Sequence, residues 1–328
     1  MGARVATGEP RVSVRDVLKR VSEPIARISK RPPPPSDEDL FDDDFQRKLD
    51  YLAIVSRRVF AGRLRAERRT KKSGSGVEFA DHRDYAPGDD FRSLDWNVYQ
   101  RFGRLLVRLF EEEEDLSIYL VVDSSSSMGF SGKRKFRYAQ RLAAALAYVG
   151  LANLDRITIV ATTDRIEERM PTARGKARIF KVFQFLRAIE PEGTTDLGDA
   201  MKTFVAQHKR RGLVILLSDL YDPHGFERGI NVLRYNKFEP FVLHVTDEAE
   251  ATPKLSGDVR IYDCETGEER DVTVTPKVLT QFKTAYGAYL TEIRKFCTER
   301  QVPYVPADVN LPFDELVLRV LRRGGFLT

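Results

Sequence analysis

Cysteine is nearly absent: Cys264 and Cys297 are the only two in 328 residues. They form no Cys-x-x-Cys pair, and the four histidines are scattered, which excludes a disulfide framework and a zinc site. Long apolar runs are also missing. The longest nearly apolar stretch, Leu142 to Ala152, has 11 residues, and a membrane helix needs about 20. No apolar stretch followed by a small-residue cleavage site stands near the start, which reads against a secretory leader. The expectation is a cytoplasmic chain with no integral membrane segment. A charge excess over the body of the chain is lacking too. The net charge is +5, and residues 1–31 alone carry eight Lys/Arg against three Asp/Glu. The basic balance is therefore a property of a tail, which argues against nucleic acid as a partner. There is no Gly-rich phosphate loop, no Ser-His-Asp order and no Asp-x-Asp phosphotransfer motif.

What is present suits a folded protein. Apolar residues make up 42% and aromatics 10%, enough for a large core. A chain of this length forms one or two domains and buries roughly 75% of its unfolded surface. Three segments are expected. Residues 1–38 form a basic, Pro-rich tail closed by Pro32 to Pro35; Val14, Val17, Leu18 and Val21 allow either a short helix or a mobile arm there. Residues 39–115 hold a long helix from about Phe45 to Arg69 and then loops and short strands. The stretch Arg57 to Lys72 has eight basic residues and one acid. It reads as a solvated helix face or as a contact for phosphate or an acidic partner. Glu111 to Asp115 reads as a solvated turn.

Residues 116–328 change pattern. Apolar strands at 117–123, 156–161, 165–170, 213–217, 240–245 and 302–305 alternate with amphipathic helices. That alternation means an α/β fold, a doubly wound and mostly parallel sheet with an N-terminal helical and β extension. Ligands in such sheets bind at the carboxyl ends of the strands. Asp123, Ser125 and Ser127 follow the first of these strands, Ser218-Asp219 the central one, and Gly193-Thr194-Thr195-Asp196 opens a helix. Asp196 suits the helix cap. The three loops offer carboxylate and hydroxyl oxygens alone, a donor set for a hard cation: Mg²⁺, with Mn²⁺ and Ca²⁺ as alternatives.

These motifs resemble the von Willebrand factor A domain over roughly residues 116–328. The metal-ion-dependent adhesion site (MIDAS) of that domain has this ligand set. The resemblance implies that Asp123, Ser125, Ser127, Thr195 and Asp219 hold the ion. Thr194 stands before Thr195 where many such domains have glycine, leaving two threonines in reach of that role. Leu220 likewise follows Asp219 where glycine is common. More narrowly, Gly76-Val77-Glu78-Phe79, Arg83 to Asp90, Arg92 and Asp95-Trp96 resemble the signature of the DUF58 family. That is a bacterial family often found beside MoxR-type AAA+ ATPases. Physically, the same segment reads as a clasp of paired charges with Trp96 buried against the domain, or as a recognition surface.

Two functions follow as expectations. The first is a non-enzymatic adaptor with no catalytic residue: a partner's carboxylate completes the coordination of the ion, and the resemblance points to a MoxR-type ATPase or its client. The second is a metal-dependent hydrolase such as a phosphatase, for which Asp222 and His224 are the available helpers. His244 reads as a satisfied core histidine and Cys297 as a buried thiol.

Overall fold

Ile118 to Val122 is apolar without alternation, the mark of a strand covered on both faces. The computed structural model describes residues 40–60, 69–73, 78–113 and 117–323; the expected tail, 1–38, lies outside them. In chain order the elements are α1 (Asp43–Phe60), β1 (Arg69–Ser73), β2 (Glu78–Asp84), α2 (Trp96–Phe102), β3 (Leu106–Glu113), β4 (Ser117–Asp123) and α3 (Phe130–Ala152). They continue with β5 (Arg156–Thr162), β6 (Ile166–Ala173), α4 (Ile179–Ala188), α5 (Leu197–Gln207), β7 (Leu213–Ser218), α6 (Glu227–Tyr235) and β8 (Glu239–Thr246). The last are α7 (Glu248–Ala251), β9 (Gly257–Tyr262), β10 (Glu269–Val274), α8 (Pro276–Glu299), β11 (Tyr304–Asp308) and α9 (Phe313–Arg323).

Six strands form the central sheet in the order β11-β8-β7-β4-β5-β6. All pairs are parallel except the edge pair β5–β6. Side chains alternate across β4. Ile118, Leu120 and Val122 join a core with α1, α3, α4 and α9, while Tyr119 and Val121 join one with α5, α6 and α8. Helix α3 presents Ala139, Ala143 and Ala147, all fully buried, and such small residues let a helix lie close to the sheet. Helix α1 belongs to the same core. The segment leading into it stacks Phe41 on Phe183 with centroids 4.5 Å apart, and Phe45 meets Phe313 at 4.6 Å. Among the described residues no helix is long and apolar enough to cross a membrane.

Four expectations are corrected. The first helix is described as far as Phe60 and 69–73 is a strand, so no single helix spans 57–72; residues 61–68 lie outside the described residues. The ladder sets Arg69 opposite Glu113 and Lys71 opposite Glu111. That non-local register overrides helical spacing, and it places Glu111–Glu113 in β3 where a turn was expected. Strand β6 runs through Pro171 to Ala173, which an edge strand tolerates because it has a free side without ladder bonds. Finally, Trp96 is 56% exposed.

The three-stranded antiparallel sheet β1-β3-β2 is closed instead by polar pairs. Arg83 reaches Asp89 at 2.7 Å and His82 Nε2 lies 2.9 Å from Asp95 Oδ2. Asp95 also caps α2 by accepting from the Asn97 and Val98 N–H groups, which puts Trp96 in the first helical turn, facing solvent.

Among the described glycines, Gly212 just before β7 leaves the least room for a side chain. A Cβ there would sit 2.1 Å from the Ser117 carbonyl oxygen. Gly212→Ala is expected to lower stability by about 1–3 kcal/mol. Gly287→Ala, in α8 with nothing within 4 Å of the added carbon, should raise it by roughly 0.5–1 kcal/mol. Urea denaturation of both variants checks the pair.

Candidate functional site

Strand order reverses between β4 and β7: from β4 the chain steps to β5, and from β7 it steps to β8 on the opposite side. A crevice opens at the carboxyl ends of two such strands. Asp123 ends β4 and Asp219 follows β7, so both lie at that point. The local folding is dictated by short-range bonds. Asp123 Oδ1 accepts from the Ser125 N–H at 3.0 Å, and its Oδ2 accepts from the Ser218 hydroxyl. The Ser126 N–H donates to the Gly193 carbonyl at 3.0 Å and the Glu192 N–H to the Ser124 carbonyl at 2.8 Å, tying the serine loop to the threonine loop. Leu220 adopts φ +61°, the region where glycine is at ease. It is held there by its N–H donating to Ser218 Oγ and by Tyr289 donating to its carbonyl.

All five residues expected as ligands are buried: Asp123, Ser125, Ser127, Thr195 and Asp219. Ser125 Oγ and Ser127 Oγ lie 3.0 Å apart. Of the two threonines, Thr195 is inside and Thr194 exposed. Asp196 caps α5, accepting from the Asp199 N–H at 2.8 Å.

Three further side chains reach the site, and none was expected. Lys135, only 2% exposed, sets its ammonium 2.6 Å from Asp219 Oδ2 and 2.6 Å from Glu250 Oε1. Burial works against that charge, but Asp219 and Glu250 outweigh it and raise the lysine pKa. Glu265, in the turn between β9 and β10, accepts from the Thr195 N–H at 3.0 Å and the Thr195 hydroxyl at 2.8 Å. Burial, with Asp123 and Asp219 adding to it, pushes its carboxyl up to about 7. Asp123 is likewise pushed up to about 6, by burial first and then by the charge of Asp219. A signal for Lys135 existed: it precedes buried Ala139 and Leu142 by four and seven residues, so it shares their helix face. The turn 263–267 gives no such sign for Glu265.

Asp222 and His224 are placed differently. Asp222 accepts from the His224 N–H at 2.7 Å with one oxygen and from the Leu197 N–H at 2.9 Å with the other. His224 faces solvent. His244 is buried between Tyr304 Oη at 2.9 Å and the Asp219 carbonyl at 3.0 Å, and burial lowers its pKa to about 4, leaving a neutral ring. Cys297 is a buried free thiol.

Asp219 and Glu250 thus flank the Lys135 ammonium, while Asp123 is held by Ser125 and Ser218 and Glu265 by Thr195. Among the described residues no group of three or more His, Cys, Asp or Glu is set to hold a metal ion. The ligand set read from the sequence does not depend on such a group, because only two of its five members are carboxylates. The upward push on Asp123 and Glu265 comes from burial first and from neighbouring carboxylates after it, and the donors are hard oxygens. This donor set is of the kind a hard divalent cation takes, with one oxygen of Asp219 held by Lys135 and the other accepting from the Tyr221 N–H at 3.2 Å.

The strand order and the antiparallel edge strand define a doubly wound α/β protein with an Asp-x-Ser-x-Ser loop at its switch point. The chain belongs to the family described as protein of unknown function DUF58, whose model matches residues 81–291. It is 25% identical over 262 residues to an uncharacterized protein of Mycobacterium tuberculosis, covering 78% of this chain and 82% of that one. Among solved structures it is similar to the conserved hypothetical protein BatB from Bacteroides thetaiotaomicron (TM-score 0.38, 14% identity, 64% of this chain and 99% of that one). It is also similar to the manganese-loaded TRAP protein of Plasmodium vivax (TM-score 0.34, 18% identity, 63% of this chain and 72% of that one).

Removing the buried ammonium should unmask the charge it covers. Lys135→Met is expected to destabilise the fold by about 3–5 kcal/mol, because buried Asp219 and half-buried Glu250 lose their partner. Lys133→Met, which breaks an exposed pair with Glu190, should cost no more than about 1 kcal/mol. Chemical denaturation at neutral pH compares the two; similar losses would contradict the special place of Lys135.

Proposed function

We propose that this chain is a non-enzymatic adaptor whose switch-point site is a metal-dependent docking point for a protein partner. The carrying observation is the excess of buried carboxylate over ammonium around Asp123 and Asp219. A hard divalent cation, Mg²⁺ in the first place, would be held by Asp123, Ser125, Ser127, Thr195 and Asp219. When bound it would supply a compact positive charge that a carboxylate from another protein can approach. The partner side of the reading rests on DUF58 membership: a MoxR-type AAA+ ATPase or its client, met during assembly or maturation of client proteins. Asp222, the available general base for a hydrolytic reading, has both oxygens bonded to backbone N–H groups.

The residues of the chain set the terms of docking. Asp123 is fixed by Ser125 and Ser218, so it offers its charge without rotating. Ser125 and Ser127 bring two hydroxyls to one point. Lys135 holds Asp219 in place and limits the negative charge the site must carry when empty.

Titration calorimetry with Mn²⁺ tests the reading. Wild type should bind one ion, and Asp123→Ala should weaken that binding by roughly tenfold or more, about 1.4 kcal/mol per decade. The fold should persist in EDTA because the core lies below the site. Saturating ion should still raise the unfolding temperature, with about 2.7 kcal/mol gained at a hundredfold excess over Kd. Absence of binding at millimolar Mn²⁺ would sink the metal reading.

A further inference from the structure

The β9–β10 hairpin stands apart from the central sheet and has almost no core of its own. Of its twelve strand residues only Val274 is buried, and a lone two-stranded hairpin is marginal in water. Its tip is nevertheless well defined. Asp263 Oδ1 accepts from the Glu265 N–H at 2.8 Å and the Thr266 N–H at 2.9 Å, and the Gly267 N–H closes the turn onto the Asp263 carbonyl. The turn aims one side chain inward: the Glu265 carboxylate, which grips Thr195 through both oxygens. Glu265 is half-buried and Thr195 only 2% exposed.

As a structural bond this is an expensive choice. The carboxylate shares its surroundings with Asp123 and Asp219, whose charges oppose its own. Among the described residues no lysine or arginine forms an ion pair with it. A glutamine would accept one of the two Thr195 bonds without like-charge repulsion. A negative group here makes sense beside a cation, in the place of an acidic side chain arriving from outside.

We propose that Glu265 is a built-in occupant of the docking point, a carboxylate supplied by the chain itself that a partner's acidic side chain must displace. The hairpin then acts as a displaceable plug. It holds the site closed toward weak acids and leaves it open to a partner that also engages the hairpin. This rests on the metal reading above. Because the plug is tethered, its local concentration is in the millimolar range or higher, and a free carboxylate competes only in proportion to the fraction of open hairpin.

The test uses the full chain with Mn²⁺ as the ion and acetate as the carboxylate probe, read by water-proton relaxation of the bound Mn²⁺. Glu265→Ala should bind Mn²⁺ and show a larger relaxation enhancement than wild type, because water enters the position the carboxylate leaves. Acetate should then lower the enhancement at about tenfold smaller concentration than in wild type. Asp263→Ala keeps the carboxylate but loosens the turn, and should fall between the two; it also serves if Glu265→Ala is poorly folded. Equal enhancement and equal acetate response in all three proteins would reduce Glu265 to a hydrogen-bond acceptor and overturn the plug, leaving the metal reading intact. Loss of Mn²⁺ binding in Glu265→Ala alone would make the residue an obligatory ligand and overturn displacement. Failure of wild type and variants alike to bind Mn²⁺ would overturn the plug and the metal reading together.

Discussion

The buried ammonium of Lys135 is what allows the carboxyl edge of the sheet to exist in this form. Asp123 and Asp219 end two strands that lie side by side at the switch point, and burial of two such charges without compensation is costly. One lysine from α3, wedged between Asp219 and Glu250, brings that cost within what the core can offset. It does not remove it. Asp123 and Glu265 stay pushed upward, by burial first and by neighbouring carboxylates after it.

The rest of the architecture keeps this tension in place. Strands β4 and β7 are buried along their whole length, so their ends cannot drift apart. The alanine face of α3 seats the helix on the sheet, which fixes the position of Lys135. Leu220 holds a backbone conformation suited to glycine, and its bonds to Ser218 and Tyr289 keep it there. Strain of this kind persists only where the surroundings over-determine it, as they do beside Asp219.

The parts legible in the sequence were those with a local signature. Apolar strands without alternation, helices with a continuous apolar face, and a loop of alternating carboxylate and hydroxyl residues could each be read from spacing. The parts that were not legible depend on contacts between distant segments. The strand at Arg69–Ser73 is defined by its pairing with β3, some forty residues along the chain. Trp96 looked like a buried anchor, but the cap at Asp95 turns it to solvent. Glu265 reaches Thr195 across 70 residues from a hairpin whose short alternation of Val259 and Ile261 with Val272 and Val274 says nothing of where its turn is aimed. Lys135 stands between: its helix face was readable, but its two acidic partners come from elements far along the chain.

The two outer strands of the central sheet both contain proline, Pro171 in β6 and Pro306 in β11. A proline has no N–H to offer, so each edge interrupts the row of donors that another strand would need. Edges blunted in this way resist sheet-to-sheet growth. Recruitment by adding a strand, the simplest route by which a sheet protein acquires a neighbour, is therefore discouraged at both margins. Association is steered toward loops and helix surfaces, where side-chain chemistry and not backbone pairing decides who is admitted.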